Sequence, residues 1–179
     1  MKVEINQIPL IHPTTIVVVG TQVNGKPNFT TIGDVAVAGL NPALVMISLN
    51  ENHQSTKYIL KHHRMTINMT EKSMIKEVDF AGIYSSKDTD KSLLFKHEMI
   101  ERLPVINKSP ITLFCDVLEY IKFKQRIIFV CSITKTLIDD KYITDNKIDL
   151  LNIQPILYGL DNNYYSGITK IGQGYKEGK

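Results

Sequence analysis

The sequence predicts a mainly β fold with short helices, of the α+β class, arranged as an antiparallel barrel that is closed or nearly closed. Most of its apolar stretches are β-branched runs of strand length, and two of the longest face each other across Lys124-Gln125 as a hairpin. Helical periodicity is confined to short stretches, so strands and helices do not alternate as they do in a parallel βαβ sheet. Closure of the sheet would remove the exposed edges that long strands otherwise present.

The first third of the chain predicts three strands. Thr14 to Val19 reads TTIVVV, which is β-branched throughout and typical of a buried strand. Asn24-Gly25 supplies the positive φ angles of a tight turn, so we expect Asn28 to Val37 to pair back on the first strand. After a break at Asn41-Pro42, Ala43 to Leu49 is apolar enough for a third strand that is buried on both faces.

The middle of the chain alternates between short helices and one strand. Asn52 to Leu60 changes period and fits a short helix, and Arg64 to Met69 alternates as a fourth strand. Ser73 to Ala81 places its apolar residues on one helical face, and Lys91 to Phe95 is expected to form a further short helix.

The second half contains the strongest hairpin signal, formed by Ile111 to Phe123 and Arg126 to Ile138. The two cysteines, Cys115 and Cys131, lie within these runs and form no CxxC motif. Buried free thiols in a reducing cytoplasm are the natural interpretation.

Length and composition indicate a single domain spanning residues 1–179. Hydrophobic residues make up 43% and charged residues 22%, close to the globular average. No apolar run reaches the length of a membrane span, and Met1 to Pro9 has no apolar core, so we expect a cytoplasmic protein without a membrane association. The net charge of +3 is mild and its lysines are dispersed, which argues against a nucleic-acid partner.

The search for local catalytic and metal-binding motifs is negative. The chain has no phosphate-loop ending after Gly20–Gly25, no GxGxxG between a strand and a helix, and no GxSxG. His62 and His63 are adjacent and would diverge by about 100° on a helix, and the other histidines have no ligand spacing. We therefore predict no metal site, and the catalytic residues stay unknown.

Hydroxyl and amide side chains recur at the ends of the predicted strands and at the start of the first helix. Such groups suit an anionic phosphate at a helix N-terminus, and they suit the polar edge of a flat heterocycle. Lys91, after a polar turn, adds a point charge. Each residue alone also fits a cap, a turn or a ladder position, so spacing does not identify the ligand. The group consists of Asn28, Thr30, Thr31, Ser48, Asn50, Ser55, Thr56 and Asn68.

A series of short segments in a fixed order carries a family resemblance from Ile11 to Gly174. The segments are GKPNFTTI at 25–32, NPALVMISL at 41–49, Ser55-Thr56 with Ile59, MTIN at 65–68, Gly82 with Ser85 and Asp90-Lys91, SPI at 109–111 with Cys115, and PILY at 155–158 followed by Tyr165 and Ile171-Gly172. In this order they resemble the flavin reductase-like family of FMN-binding split barrels, which includes the flavoredoxins. Two family features are missing: the chain has no Trp, and no His stands near Gln125-Arg126.

The resemblance implies a site for FMN and a homodimer. Thr56 and its neighbours, Ser55 among them, would hold the phosphate at the helix start, and Lys91 would pair with it. Tyr164 or Tyr165 would lie near the flavin ring, reaching from the second subunit. The remaining lining would come from Asn28, Thr30, Thr31, Ser48, Asn50 and Asn68.

The function that this resemblance implies is an FMN-binding oxidoreductase. The first hypothesis is a flavin reductase that passes reducing equivalents from NADH or NADPH through FMN. The alternative is a flavoredoxin-like electron-transfer protein that is reduced by a redox partner, and a third is a ligand-binding barrel without turnover. Because hydride chemistry belongs to the flavin, no side chain need act as a proton-transfer catalyst.

Overall fold

The computed structural model describes residues 1–178 and consists mainly of antiparallel strands, with two short helices. The helices are α1 (Gln54–His62) and α2 (Ile75–Ile83), with single 3-10 turns at Lys72–Met74 and Asp140–Tyr142. The strands are β1 (Thr14–Thr15), β2 (Val17–Val23), β3 (Lys26–Ile32), β4 (Val35–Gly39), β5 (Leu44–Asn50), β6 (Arg64–Met69), β7 (His97–Ile100), β8 (Leu103–Ile106), β9 (Ile111–Phe123), β10 (Arg126–Ile138), β11 (Ile143–Thr144), β12 (Lys147–Ile148), β13 (Leu157–Tyr158) and β14 (Tyr164–Tyr165).

The main sheet has seven strands in the order β3-β2-β6-β9-β10-β5-β4, and its two edge strands follow each other in the chain. Only Gly33 and Asp34 separate β3 from β4, a connection that spans at most about 11 Å. In a flat sheet, six strand spacings would hold those edges about 29 Å apart. The sheet must therefore curl until its edges nearly meet, which confirms the predicted fold class of an antiparallel β-barrel with short helices.

Two apolar clusters explain why strand β2 is hydrophobic on both faces. Val17 and Val19 point into the barrel, where they pack with residues from β5, β6, β9 and β10. Val18 points outwards and packs with Phe29 and with Val78 of α2. Because both faces are covered, a continuous β-branched run is stable here without a polar alternation.

The structure differs from the sequence prediction at several places. The third strand, β5, is buried on one face rather than on both, because Met46 on its other face is 40% exposed. The expected strand from Asn28 to Val37 is interrupted at Gly33-Asp34, where the chain passes from one edge of the sheet to the other. The expected helix from Lys91 to Phe95 is wrong: its N–H groups make a single turn, with Leu94 donating to the Lys91 carbonyl at 3.1 Å and Ser92 to Asp90 Oδ1 at 2.9 Å. An Asp side chain that accepts a nearby backbone N–H competes with helical hydrogen bonding in this way.

Both helices are nine residues long, and no helix in residues 1–178 has the length and apolar character needed to cross a bilayer. The two cysteines are free and buried, as predicted. Burial raises the pKa of the Cys131 thiol to about 12, so it stays protonated near neutral pH.

Candidate functional site

A buried cluster of hydroxyl and amide groups joins the start of α1 to β2 and β3. Ser55, in the first turn of α1, is fully buried, and its Oγ accepts a hydrogen bond from Asn28 Nδ2 at 2.9 Å. Thr30 Oγ1 lies 2.6 Å from the same oxygen, and Thr21 Oγ1 donates to it at 3.2 Å. Three of the residues predicted from the sequence are thus brought together around the N-terminus of α1.

Beside this cluster lies a small cavity of about 130 Å³, called the polar cavity below. It is bounded by the start of α1, by β3, and by the end of α2 with the loop that follows. Within the described part of the chain, no carboxylate side chain lines it, so its charge is set by cationic and neutral groups. Its lining is Thr30, Thr31, His53, Gln54, Ala81, Gly82, Ile83, Tyr84, Ser85, Ser86 and Lys91.

The Lys91 ammonium is the main charge of the polar cavity. Its side chain is buried, with 4% of the residue exposed, and Nζ donates to the Ala81 carbonyl at 2.8 Å near the C-terminal end of α2. Among residues 1–178 it has no ion-pair partner, although an ammonium has three N–H donors. Burial lowers the pKa of Lys91 to about 8. A buried cation without an anion costs free energy that a bound anion would offset.

The N-terminus of α1 adds backbone donors to the same cavity. His53 occupies the N-cap position, but its side chain makes no capping hydrogen bond. The first N–H groups of a helix have no acceptor within the helix, and together with the helix dipole they favour a negatively charged ligand.

His53 was not among the residues predicted for the site, because a single histidine has no ligand spacing. Its Nδ1 atom is buried and has no hydrogen-bond partner in the described structure. Burial, and secondarily the charge of Lys91, lowers the pKa of His53. Its position at the start of the helix predicted from Asn52 to Leu60 was the one signal in the sequence that could have identified it.

A larger cavity of about 420 Å³, called the aromatic cavity below, lies next to the polar cavity. The two cavities share Thr31, Gly82 and Ile83 in their linings. Tyr158 and Tyr164 line the aromatic cavity. The Thr14 hydroxyl, which also borders it, is buried and has no hydrogen-bond partner among residues 1–178. An anion site and an aromatic-lined space with a free polar group are therefore adjacent, as a phosphorylated flat ring requires.

Tyr164 lines the aromatic cavity of its own chain rather than reaching out from it. Its Oη donates to Asp79 Oδ1 at 2.7 Å, and burial together with this carboxylate raises the pKa of Tyr164 to about 12. The pairing of β13 with β14 places Tyr164 opposite Tyr158 and folds the segment back onto its own barrel. The expectation that a tyrosine reaches the flavin from a second subunit stays a prediction. Tyr165 does not line the aromatic cavity, and its hydroxyl donates to Asp161.

Asn68 is not brought into either cavity. It is fully buried, and its Nδ2 donates to the Val18 carbonyl at 3.1 Å and to Thr66 Oγ1 at 3.2 Å. Its Oδ1 accepts from the Ile106 N–H at 3.0 Å and from Thr112 Oγ1 at 2.9 Å. These partners occupy the donors and acceptors of the amide, so we leave Asn68 out of the site proposed below.

Three further predicted residues also use their polar groups elsewhere. Thr56 Oγ1 donates to the Asn50 carbonyl at 2.7 Å, and Asn50 Oδ1 accepts from the Asn52 N–H at 2.9 Å, so both stabilise the turn before α1. Ser48 Oγ accepts from Arg126 Nε at 3.1 Å on the outer face of the sheet. Hydroxyl and amide groups at strand ends can satisfy local backbone as easily as a ligand, which is why the sequence pattern did not separate the two roles.

Comparisons with known proteins agree with this geometry. Residues 10–161 match the family described as "Flavin reductase like domain". The fold is similar to that of flavoredoxin from Methanosarcina acetivorans, with 28% identity over 100% of this chain and 98% of that chain and a TM-score of 0.94. No curated protein sequence shows significant similarity to the chain.

Two other solved structures share the fold at lower identity. An FMN-binding protein from Thermus thermophilus is 18% identical over 97% of this chain and 99% of that chain, with a TM-score of 0.81. A split barrel domain from Shewanella frigidimarina is 22% identical over 90% of this chain and 86% of that chain, with a TM-score of 0.78. At these identities the similarity establishes the split-barrel fold alone.

Proposed function

The chain belongs to the flavin reductase-like family, and from this premise we propose that it binds FMN and passes reducing equivalents through the flavin. The observation that carries the proposal is the buried Lys91, which has no anionic partner among the described residues and stands in a cavity that adjoins the aromatic one. A phosphate in the polar cavity would supply the missing negative charge, and the aromatic cavity would accept the ring.

The residues that fit the cofactor are those that border the two cavities. Lys91 and the first N–H groups of α1 would hold the phosphate end. Thr30, Thr31 and Ser86 also line this end, but their hydroxyls are hydrogen-bonded within the protein, so they shape the cavity. Thr31 Oγ1 donates to the Val78 carbonyl at 2.6 Å, and the Ser86 hydroxyl donates to Asn28 Oδ1 at 2.5 Å. Tyr158, Tyr164 and the free hydroxyl of Thr14 would orient the ring and exclude water from it. When bound, the flavin supplies the hydride and electron chemistry, and the protein supplies binding and orientation.

For the electron donor we infer NADH or NADPH, which makes the protein a flavin reductase. The second candidate is electron transfer from a redox protein, and it is favoured by the full-length similarity to a flavoredoxin. The aromatic cavity has Asp34 and Asp79 in its lining and no lysine or arginine among its described residues. This lining offers no side-chain cation to the phosphates of a nicotinamide nucleotide, which also favours the second candidate.

Absorbance of the purified protein tests the proposal and separates the two donors. We expect a yellow protein, or a colourless one that becomes yellow on reconstitution with FMN. Fast bleaching by NADH or NADPH in a stopped-flow instrument would support the reductase. Slow bleaching by both nucleotides with rapid reduction by reduced ferredoxin would support the carrier instead. A protein that cannot be reconstituted with FMN would contradict both.

We further propose that the protein is a homodimer whose interface covers the outer face of the sheet, defined by Ala36, Met46, Ile121, Phe123, Ile128 and Val130. Ala36, Met46 and Val130 lie side by side across β4, β5 and β10, and Ile128 lies opposite Ile121 of β9. Ile121 and Phe123 are 64% and 65% exposed, which is unusual for a contiguous apolar face. On the same face, Arg126 pairs with Asp34, which also lines the aromatic cavity, so a second copy seated there would border the ring site.

Sedimentation of the wild type and of the double variant Ile121→Glu/Phe123→Glu tests the dimer. We expect a dimer for the wild type and a monomer for the variant, because two charges per subunit would be buried at the interface. Lys57→Glu, an exposed change on α1, serves as the control. A monomeric wild type that retains FMN fully would contradict the proposal.

A further inference from the structure

We propose that His53 is a phosphate-binding residue of the flavin site and that it takes up a proton when the phosphate enters the polar cavity. The inference rests on the proposed function and deepens it, because it adds a residue and a proton linkage to the same site. It makes the affinity for FMN depend on pH around pH 7, whereas the affinity for riboflavin, which carries no phosphate, stays constant there.

The His53 imidazole makes no hydrogen bond that holds the fold together within the described residues. The backbone of His53 is held in the turn before α1, where its N–H donates to the Asn50 carbonyl at 3.1 Å and its carbonyl accepts from Lys57 at 3.3 Å. Its side chain makes no capping bond, and Nδ1 is buried without a partner. A buried polar atom without a hydrogen bond is costly, and such atoms in native proteins usually have a partner.

The polar cavity has few charged and titratable groups near the imidazole. They are His53 itself, at the N-cap of α1, and, on the segment that follows α2, Lys91 and the phenol of Tyr84. Strand β3 contributes only the hydroxyls of Thr30 and Thr31. With no carboxylate in the described lining, the ligand-free cavity disfavours a second positive charge. Burial, and secondarily the charge of Lys91, lowers the pKa of His53.

A phosphate dianion reverses this balance. At pH 7 the free His53 is mainly neutral, because its pKa lies below the ordinary 6.5. Two negative charges within the same small cavity favour the protonated imidazole of His53. His53 therefore takes up a proton when the phosphate binds. Affinity for FMN should consequently fall as the pH rises from the pKa of the free imidazole to that of the FMN-bound imidazole, because the proton that binding requires becomes less available.

Isothermal titration calorimetry measures the number of protons taken up when FMN binds. FMN is titrated into flavin-free protein at pH 7 in two non-phosphate buffers that differ in ionisation enthalpy. Lys91, with a pKa of about 8, is already about nine-tenths protonated at pH 7. A phosphate ester with a second pKa of about 6 is about nine-tenths dianion at the same pH. Neither group therefore adds much to the number of protons exchanged on binding. We expect an uptake of about half a proton or more for FMN and close to zero for riboflavin.

His53→Gln is the decisive variant, because glutamine keeps N–H donors but cannot be protonated. We expect its proton uptake to vanish and its FMN affinity at pH 7 to fall about tenfold, with riboflavin affinity unchanged. His62→Gln, an exposed change at the other end of α1, should behave as wild type. Titration of the His53 imidazole by NMR in the wild type, with and without FMN, gives the same information without a variant.

The outcomes separate this inference from the proposed function. If FMN binds and His53→Gln takes up as many protons as the wild type, or the wild type takes up none, the role of His53 is wrong while the flavin site stands. If neither FMN nor riboflavin binds, the proposed function fails and the inference fails with it.

Discussion

Replacing Lys91 by methionine should weaken the binding of FMN by about 1–3 kcal/mol and leave the binding of riboflavin nearly unchanged. Methionine keeps most of the volume of the buried stem but removes the ammonium that faces the polar cavity. Only FMN carries the phosphate that this charge would meet. Quenching of flavin fluorescence, titrated with both ligands at pH 7, measures the two affinities.

The same substitution should stabilise the flavin-free protein. The pKa of Lys91 is about 8 in the folded state and 10.5 ordinarily, so the unfolded chain binds more protons between these values. The cost of burying the ammonium is therefore fully present below pH 8 and disappears as the pH rises to about 10.5. We expect Lys91→Met to be about 1–2 kcal/mol more stable than wild type at pH 7, after the lost bond to the Ala81 carbonyl, with a smaller difference at high pH.

A matched control is Lys87→Met, because Lys87 is an exposed lysine of the same loop. This change should alter neither the FMN affinity nor the free energy of unfolding measurably. Equal losses of FMN and riboflavin affinity in Lys91→Met would show that Lys91 supports the loop rather than the phosphate. A loss of stability at pH 7 would show that the hydrogen bond to the end of α2 outweighs the burial of the charge.

Asn68→Ala should cost about 3–5 kcal/mol in the free energy of unfolding, the largest effect that we expect from a single polar residue here. The change removes four hydrogen bonds and leaves the buried Ile106 N–H without its acceptor. Because Asn68 lines neither cavity, the FMN affinity of the folded variant should equal that of the wild type. Urea unfolding followed by circular dichroism measures the first quantity, and flavin titration below the transition measures the second.

Asn50→Ala is the matched comparison, because Asn50 also ends a strand and its side chain satisfies a single N–H in an exposed turn. We expect it to cost less than about 1 kcal/mol. If Asn68→Ala instead remained stable and lost FMN, Asn68 would belong to the flavin site as the sequence resemblance implied.

The strands with the strongest periodicity were the ones that could be predicted. β6, β9 and β10 have the predicted bounds, because their apolar residues and turn signals agree locally with the fold. The short hairpin of β7 and β8 was missed, since four-residue strands carry too little pattern. The helix expected at Lys91 to Phe95 failed because Asp90 and Ser92 favour a turn, an outcome set by a single side-chain hydrogen bond.

The candidate site was only partly predictable. The sequence predicted that hydroxyl residues at the start of α1 and Lys91 belong to the site. In the structure Thr30 and Lys91 line the polar cavity, and Ser55 lies behind it, bonded to Thr30. Asn50, Thr56 and Asn68 carry the same chemistry but donate to or accept from the protein itself. Residue type and position in a strand do not show which partner a polar group has, because that depends on chain segments far away in the sequence.

The order of apolar runs and turns in this chain determined its antiparallel β architecture and its family, since periodicity and turn chemistry act over a few residues. Only the tertiary structure decided which polar groups remain free. Closure of the sheet through Gly33-Asp34 brings β3, the start of α1 and the loop after α2 together. Within residues 1–178 this leaves His53 Nδ1 without a partner and Lys91 without an anion. Hydrogen-bond satisfaction is a property of the whole folded chain, and it is what separates a binding residue from a structural one.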